Sequence, residues 1–497
     1  MSASNLLLSK PLKAEEYLKR ELGQFLTPEP VADLMASMFS ANKPEWRLVD
    51  PGAGAGALSA ALISRICRSP NTPTSIKLTA YEIDAAIVPR LRHTCESLQE
   101  MCKSKGIDFS ANIFNADFVE CASEIVQRDL LSRHNCSFNA AILNPPYRKI
   151  SSNSRTRRLL RAAGIETSNL YTAFLALTLK LLGKSGELVS ITPRSFCNGP
   201  YFQPFRQLFL DNMSLRRIHL FESRSAAFRS DAVLQENIIV HAVKARKTPD
   251  SVVVSMCNGS PGASVTERTC AYEEVVAPDD PFSFIHVVTN SSELDVREKI
   301  SILRTTLPEL GLTISTGRVV DFRATEFLRC EVERNTVLLI RPCHFYHGLA
   351  RWPAKKEKKP CAILDVEATK GLLVPRGHYV LVKRFSAKEE RRRIVASNYD
   401  PIYIKCDRVG FENHLNYFHA DGKGLGKNLA RGLTAFLNST VVDMYFRHFS
   451  GHTQVNAADL RSLRYPTRAG LENLGRKAGT AAMDQLDLDK LVNREVF

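Results

Sequence analysis

The residues with the clearest chemical potential in this sequence are four consecutive ones, Asn144, Pro145, Pro146 and Tyr147. The two prolines remove two N–H donors and stiffen the backbone, so that its carbonyl groups can face a substrate. The side-chain oxygen of Asn144 and the carbonyl oxygen of Pro145 are two acceptors that can converge on one exocyclic amino group. Tyr147 adds an aromatic face for a planar amide or base. The tetrapeptide therefore predicts chemistry at an amino nitrogen.

A second group of residues is suited to an adenosine-bearing cofactor. Gly52, Gly54 and Gly56 follow the predicted strand that ends at Asp50. At this position they let the backbone approach a ligand closely and direct helix N-terminal N–H groups toward it. Glu82 and Asp117, at the ends of the next two predicted strands, are placed to accept hydrogen bonds from a ribose and from an adenine amino group. Alone, the glycines also fit a dinucleotide-binding enzyme, but that interpretation does not explain residues 144–147. The predicted cofactor site comprises Asp50, Gly52, Gly54, Gly56, Glu82, Ile83, Asp117, Phe118 and Asn144.

Strand and helix patterns alternate through the first third of the chain. A predicted helix covers Val31–Phe39, and predicted strands cover Arg47–Asp50, Lys77–Tyr81, Asn112–Phe114 and Phe138–Leu143. Such alternation predicts a doubly wound, Rossmann-like α/β sheet. Ligands of these sheets bind beyond the carboxyl ends of the strands. Each motif above falls at such an end, so the motifs are expected to form one site.

The glycine loop and residues 144–147 resemble the N6-adenine DNA methyltransferases, specifically the gamma-class, PstI/BsuBI-type enzymes of bacterial restriction–modification systems. Further similar segments, 169–174, 186–193, 231–239, 315–323 and 449–456, extend the resemblance over nearly the whole chain. The resemblance implies that S-adenosyl-L-methionine is the cofactor and that Asn144 to Tyr147 are catalytic. It also implies that segment 23–28 closes over the methionine end of the cofactor, which adds Phe25 and Thr27 to the predicted cofactor site.

The sequence departs from the family at one place. Family members often stack the extruded adenine on a second aromatic side chain, opposite the position of Tyr147, but residues 232–236 contain no aromatic residue. Phe228 is the nearest aromatic candidate, and Val233 is an alternative apolar wall. Both are therefore predicted, with Tyr147, to contact the substrate.

The sequence contains no recognisable motif for a metal site or for nucleotide hydrolysis. The pairs His448/His452 and His414/His419 are joined by no carboxylate or cysteine pattern, and the twelve cysteines include no C-x-x-C. A phosphate-binding loop of the form G-x-x-x-x-G-K-[ST] is absent from the sequence. We predict no metal site and no ATP-driven translocation.

The charge distribution divides the chain. Residues 1–150 contain 17 Lys and Arg against 16 Asp and Glu, whereas residues 341–393 contain 14 against 5. Gly, Ser and Pro residues around 258–262 and 277–281 indicate a boundary near 280, so the predicted domains are a catalytic domain, 1–280, and a mixed α+β target-recognition domain, 281–497. The basic second half predicts contacts with DNA phosphates. Its predicted DNA-contacting lysines are Lys355, Lys356, Lys358 and Lys359, and a further run of six cations spans 148–161.

The sequence thus predicts a site-specific DNA adenine-N6 methyltransferase that acts on a flipped-out adenine of double-stranded DNA and protects host DNA. The alternatives are an RNA or protein-glutamine methyltransferase with the same tetrapeptide, and a non-catalytic DNA-binding protein with a relic fold. A separately encoded cognate restriction endonuclease is a candidate partner. The longest apolar run, Tyr171–Leu182, is shorter than the ~20 residues needed to span a bilayer. A cytoplasmic monomer without a membrane partner is expected.

Overall fold

The structure is a computed structural model. It describes residues 27–497 except 41–42, 133–137, 222–236, 246, 258–264, 279, 281, 288–290, 355–358, 387–389, 403–406, 450–453 and 480–482. The chain divides into two compact units, residues 1–289 and 290–497. Each unit is described separately. The roles predicted for them, catalysis and target recognition, stay predictions.

The described part of unit 1 contains a nine-stranded sheet. Its strands are β1 (Glu45–Pro51), β2 (Ser75–Tyr81), β3 (Asp108–Phe114), β4 (Phe138–Leu143), β5 (Leu182–Pro193), β6 (Met213–Phe221), β7 (Asn237–Lys244), β8 (Ser251–Cys257) and β9 (Thr266–Ala271), in the spatial order 3-2-1-4-5-7-6-8-9. The first five strands run parallel, and β7 pairs antiparallel with both β5 and β6. Strand order therefore reverses between β1 and β4.

Helices cover both faces of this sheet. They are α1 (Glu29–Ser37), α2 (Ala57–Arg68), α3 (Val88–Ser104), α4 (Phe118–Ser132), α5 (Arg155–Ala162), α6 (Leu170–Leu181), α7 (Gln203–Asn212) and α8 (Tyr272–Val275). Alternate residues of β4 belong to different apolar clusters: Ala140 and Ile142 pack with α1, α2 and α3, whereas Ala141 and Leu143 pack with α4, α6 and α7. This two-sided burial explains why the strands read as continuous apolar runs. It confirms the predicted doubly wound fold.

Unit 2 combines two described sheets with helices. Its strands are β10 (Thr313–Thr316), β11 (Leu328–Arg329), β12 (Thr336–Ile340), β13 (Phe345–Tyr346), β14 (Leu349–Ala350), β15 (Ala362–Leu364), β16 (Leu373–Pro375), β17 (Tyr379–Lys383), β18 (Ala396–Tyr399), β19 (Arg408–Phe411) and β20 (Leu415–His419). Six of them form a sheet in the order 10-20-17-18-14-13, and five form a sheet in the order 11-15-12-19-16. An aromatic cluster of Tyr379, Tyr399, Phe411 and Tyr417 joins them.

The helices of unit 2 are α9 (Ser291–Ser301), α10 (Lys427–Leu437), α11 (Thr440–Phe449), α12 (Ala457–Ser462), α13 (Arg468–Ala478) and α14 (Gln485–Val496). Together with one face of the six-stranded sheet they form a third apolar cluster, which includes Val380, Leu433 and Leu474. The observed elements make unit 2 a mixed α+β unit. Within the described residues of the whole chain, no helix combines the length and the apolar character needed to cross a membrane.

Candidate active site

Residues 144–147 begin directly after β4, at the edge of the sheet where strand order reverses. The register of β1 and β4 aligns Leu48 with Ala140 and Val49 with Ala141, so both strands end at the same edge. In doubly wound sheets a crevice opens beyond the carboxyl ends of such a strand pair, and ligands bind there. The glycine loop and the tetrapeptide therefore lie on the two sides of one crevice.

The side chain of Asn144 is held from two directions. Its Nδ2 donates to the Thr27 hydroxyl at 3.1 Å, and its Oδ1 accepts from the Tyr147 hydroxyl at 3.0 Å. Tyr147 also lies 3.3 Å from the carbonyl oxygen of Ile191 on β5. Burial raises the pKa of the Tyr147 hydroxyl well above its usual range, which keeps it a neutral donor. The amide plane of Asn144 is thus fixed before any substrate binds.

The Pro145 carbonyl and the Tyr147 ring lie next to the Asn144 amide. Pro145 is buried, and among the described residues its carbonyl oxygen accepts no hydrogen bond. The Tyr147 ring meets the Tyr171 ring edge to face, with centroids 6.2 Å apart. Beyond the tetrapeptide, the backbone at Arg148 and Ile150 pairs with residues 168–170. These contacts hold the Pro145 carbonyl and the Tyr147 ring in place beside the Asn144 amide.

All three glycines of the loop after β1 have positive φ, and Gly54 and Gly56 show what the loop shape requires. Gly54 has φ +56°, and a Cβ atom there would meet nothing within 4 Å, so the loop is open at this point. Gly56 has φ +85°, and a Cβ atom there would lie 2.9 Å from the Leu91 side chain. Left-handed backbone of this kind favours glycine. The loop can therefore present its backbone to a ligand at Gly54 while packing closely against α3 at Gly56.

Glu82 ties the glycine loop to the end of β2. Its carboxylate accepts hydrogen bonds from the backbone N–H groups of Gly54 and Asp84, both at 2.8 Å, and its side chain is 3 % exposed. Asn115 donates from its side chain to the Glu82 backbone carbonyl at 2.9 Å. Sequence reasoning missed Asn115, although it stands two residues before the predicted Asp117. Glu82 thus organises the glycine loop at the end of β2.

The other predicted cofactor residues differ in their surroundings. Asp117 caps α4 by accepting from the N–H of Val119 at 2.7 Å, and within the described residues its second oxygen has no hydrogen-bond partner. Ile83 is 55 % exposed, which leaves an apolar surface at the end of β2. Phe118, in contrast, is buried between Tyr81 and Phe174, with ring centroids 5.3 and 5.0 Å away. The Phe118 side chain therefore belongs to the apolar core, and its predicted contact with the cofactor stays a prediction.

Asp50, at the end of β1, carries a buried carboxylate with one unsatisfied oxygen. Its Oδ2 accepts from the Ser59 hydroxyl at 2.6 Å, whereas its Oδ1 has no partner among the described residues. Burial, and to a lesser degree the charge of Glu82, raise the pKa of Asp50 to about 7, although the Ser59 hydrogen bond opposes the shift. Such a carboxylate is suited to pair with a cationic group of a ligand.

Comparison with known proteins identifies the family. Residues 66–228 match the family described as Eco57I restriction-modification methylase. The chain is 45% identical over 486 residues to the type II methyltransferase M.PstI of Providencia stuartii, with 97% of this chain and 94% of M.PstI covered. It is 44% identical to the type II methyltransferase M.BsuBI of Bacillus subtilis, with 92% and 90% covered.

The chain belongs to the type II methyltransferases of restriction–modification systems. The family predicted from residues 52–56 and 144–147 is thereby confirmed. Among solved structures, the type IIG restriction endonuclease BpuSI aligns with 95% of this chain and 60% of its own, at 13% identity and a TM-score of 0.46.

S-adenosylmethionine is the cofactor of this methyltransferase, as predicted. The residues at the crevice fit its chemistry. The open glycine loop, the exposed apolar Ile83 and the oxygen atoms of Asp50, Glu82 and Asp117 offer complementary groups to an adenosine and to a positively charged methionine part. In the described residues no cluster of three or more His, Cys, Asp or Glu side chains is arranged to hold a metal ion.

Several predicted contact residues of the methyltransferase lie outside the described residues. They are Phe25, Phe228, Val233, Lys355, Lys356 and Lys358. Lys359 is described and exposed, and its Nζ lies 3.6 Å from Asp321. The same carboxylate binds the guanidinium of Arg341 at 2.9 and 3.1 Å. Arg341, the first residue of the basic segment 341–393, is buried and has a structural role.

The basic run after the tetrapeptide is also less positive than its sequence suggests. Arg157 and Arg161, on α5, both pair with Glu166, which follows the run. Arg155 pairs with Glu120 of α4 at 3.2 Å. Since ion pairs with residues outside the run are not visible in a count of consecutive residues, the sequence overestimated the positive charge available to a polyanion here.

Proposed function

We propose that this type II methyltransferase transfers a methyl group from S-adenosylmethionine to the N6 nitrogen of an adenine in double-stranded DNA. The observation that carries the proposal is the Asn144 amide, fixed by Thr27 and Tyr147 beside the Pro145 carbonyl, which accepts no hydrogen bond within the described residues. Two fixed acceptors at a crevice match a group with two hydrogens on one nitrogen. An exocyclic amino group of a base has these two hydrogens.

The acceptors would activate the target nitrogen. In adenine the N6 lone pair is delocalised into the ring, which makes the nitrogen a poor nucleophile. Hydrogen bonds from its two hydrogens to Asn144 Oδ1 and to the Pro145 carbonyl favour a tetrahedral nitrogen with a localised lone pair. Asn144 Oδ1 already accepts from Tyr147, but an amide oxygen has two lone pairs and can accept a second hydrogen bond. No covalent nucleophile or strong general base is required, because the methyl–sulfur bond would break as the nitrogen–methyl bond forms, and the methylated, positively charged nitrogen would then lose a proton to solvent.

The remaining rate enhancement comes from positioning. When bound, the cofactor supplies an electrophilic sulfonium methyl group. Glu82 and Asp117 would hold its adenosine part, and Asp50 would face the charged methionine part, because these carboxylates lie at or just after the ends of β1, β2 and β3, on the glycine-loop side of the sheet. Asn144 holds the acceptor nitrogen on the other side of the same crevice. Placing two reactants in line in this way contributes a large part of catalysis in such reactions.

The target adenine must leave the duplex to reach this site. Asn144 and Tyr147 are only partly exposed and lie at the edge of a covered sheet, so a base stacked in DNA cannot contact them. Enzymes that modify bases therefore extrude the target nucleotide, at a cost of a few kcal/mol. We propose that Tyr147 stacks on the extruded adenine and recovers part of this free energy.

The hydroxyl of Tyr147 gives a first prediction. Tyr147→Phe retains the aromatic face but removes the hydrogen bond to Asn144, so we expect methyl transfer to slow by about threefold to tenfold, the effect of one neutral hydrogen bond. Single-turnover transfer of radiolabelled methyl groups to duplex DNA measures this rate. Tyr201→Phe, at an exposed tyrosine, is the matched control and should retain the normal rate. Equal rates for Tyr147→Phe and the wild type would contradict the orienting role of the hydroxyl.

The second prediction concerns DNA affinity. Reversing the charge of Lys355, Lys356, Lys358 and Lys359 should make the salt dependence of DNA binding less steep, because each lost phosphate contact removes about 0.9 from the log–log slope. Fluorescence anisotropy with labelled duplex over a range of salt concentrations measures the slope. Charge reversal at Lys103 and Lys105, exposed at the end of α3, is the control. An unchanged slope in the first variant would show that these lysines do not contact phosphates.

One experiment tests the function itself. DNA from cells that express the chain is sequenced for modified bases, with cells expressing Asn144→Ala as the reference. We expect N6-methyladenine at one short sequence, present only with the unaltered chain. Modified cytosine, or unmodified DNA, would contradict the proposal. A separately encoded restriction endonuclease that cleaves the same unmethylated sequence is the partner that this function implies.

A further inference from the structure

Asn237, the first residue of β7, carries an amide that the function proposed above does not use. The side chain is 4 % exposed, and within the described residues neither Nδ2 nor Oδ1 has a hydrogen-bond partner. An unpaired buried amide is costly, and native proteins seldom contain one without a reason. An amide in this position is suited to pair with a ligand.

The position of Asn237 relates it to the active site. β7 pairs with β5 so that Asn237 lies opposite Pro193, and β5 pairs with β4 so that Ser190 lies beside Leu143. Asn237 and Asn144 are thus two strands apart at the same edge of the sheet. With strands ~4.8 Å apart and a rise of ~3.3 Å per residue, their Cα atoms are separated by about 12 Å.

The two asparagines also lie on the same face of the sheet. Ile239 of β7 and Ile142 of β4 belong to one apolar cluster, and side chains two residues apart in a strand share a face. The bond from Asn144 to Thr27 agrees with this assignment, because Thr27 precedes α1, which packs on that face. Two amide side chains therefore flank one stretch of the crevice.

We propose that Asn237 donates a hydrogen bond from Nδ2 to a ring nitrogen of the target adenine and thereby holds the base in position. This inference rests on the proposed function. A separation of about 12 Å accommodates two side chains, a purine and a hydrogen bond of ~2.9 Å at each end. The ring nitrogens of adenine that are free in DNA accept hydrogen bonds, so they require a donor, which the amide nitrogen supplies.

Among the other unpaired polar atoms near this edge, those of Asn198 and Thr192 fit the role less well. The unpaired atom of Asn198 is its oxygen, Oδ1, which offers no proton to a ring nitrogen. Thr192 has an unpaired hydroxyl but lies opposite Ile238, whose side chain packs in the apolar cluster on the other face. Among the described residues at the edge, Asn237 combines a free donor with the correct face.

The test is a thermodynamic cycle between enzyme and substrate. Wild type and Asn237→Ala are assayed on duplexes in which the target is adenine, 1-deazaadenine, 3-deazaadenine or 7-deazaadenine. We expect one analogue to lower kcat/KM of the wild type by about tenfold, the effect of one hydrogen bond. Asn237→Ala should lose a similar factor on adenine, and both enzymes should methylate that one analogue equally well. A purely structural role for Asn237 would not produce this coupling.

Two further variants make the result unambiguous. Asn237→Leu removes the unpaired amide while keeping its size, so it should fold normally and show the same coupling as Asn237→Ala. Asn398→Ala changes another buried strand asparagine whose amide atoms are both unpaired, in unit 2, and should respond to each analogue as the wild type does. If the loss of kcat/KM caused by Asn237→Ala and the loss caused by the analogue simply multiply for all three analogues, the role of Asn237 would be overturned. Failure of the wild type to methylate adenine would instead overturn the proposed function, and this inference with it.

Discussion

Replacing Asn144 with alanine is expected to lower methyl transfer to duplex DNA by about 10²–10³-fold, the usual effect of removing one preorganised polar contact to the reacting group. The variant loses an acceptor for N6 and also the amide that Thr27 and Tyr147 hold. Binding of S-adenosylmethionine and of DNA should change little, because neither depends chiefly on this side chain. Single-turnover transfer of radiolabelled methyl groups, followed by digestion to nucleosides, measures the effect.

The matched control for this prediction is Asn112→Ala. Asn112 is exposed on β3, at the edge of the same sheet, so the same truncation should leave transfer unchanged. Near-normal transfer by Asn144→Ala would refute the mechanism. So would label on cytosine, since the acceptors would then serve another amino group.

Replacing Glu82 with alanine is expected to weaken binding of S-adenosylmethionine by about 10²-fold. The carboxylate would hold the ribose and already accepts hydrogen bonds from the N–H groups of Gly54 and Asp84. Hydrogen bonds to a charged group contribute ~1.5–3 kcal/mol each, so losing one or two accounts for this factor. Isothermal titration calorimetry with S-adenosylmethionine gives the affinity directly.

Two comparisons separate ligand binding from folding in this variant. Glu96→Ala, at an exposed glutamate of α3, should bind the cofactor normally. Thermal unfolding shows whether Glu82→Ala is folded, because losing this buried carboxylate also leaves the N–H groups of Gly54 and Asp84 without their acceptor. Unchanged affinity in a folded Glu82→Ala protein would remove Glu82 from the cofactor site.

The sequence alone determined the framework of this protein. The doubly wound sheet follows from apolar strands that alternate with amphipathic helices, and the site follows because the glycine loop, Glu82, Asp117 and residues 144–147 each end a strand. These signals are local, in that each motif and the strand that carries it are contiguous in the chain. For the same reason the family could be recognised from short segments.

Only the tertiary structure decided which groups pair with one another. The bond between Thr27 and Asn144 joins residues 117 positions apart, and the Asn139 side chain meets Arg47 across two neighbouring strands. The interaction of the Tyr147 hydroxyl with Asn144 was equally hidden, because the sequence assigned Tyr147 a role only through its ring. Partners of this kind depend on strand order and loop path, which no local pattern encodes.

Burial was the second property that the sequence could not supply. Arg341 reads as a surface cation in a basic stretch, but folding places it against Asp321. Phe118 is one of the predicted cofactor residues, and the structure places its side chain in the core. Asp50 and Asn237 carry unpaired polar atoms only because the folded sheet removes them from water. A charged or polar side chain has the same appearance in a sequence whether water, a protein group or a ligand pairs with it, and the fold alone decides among these partners.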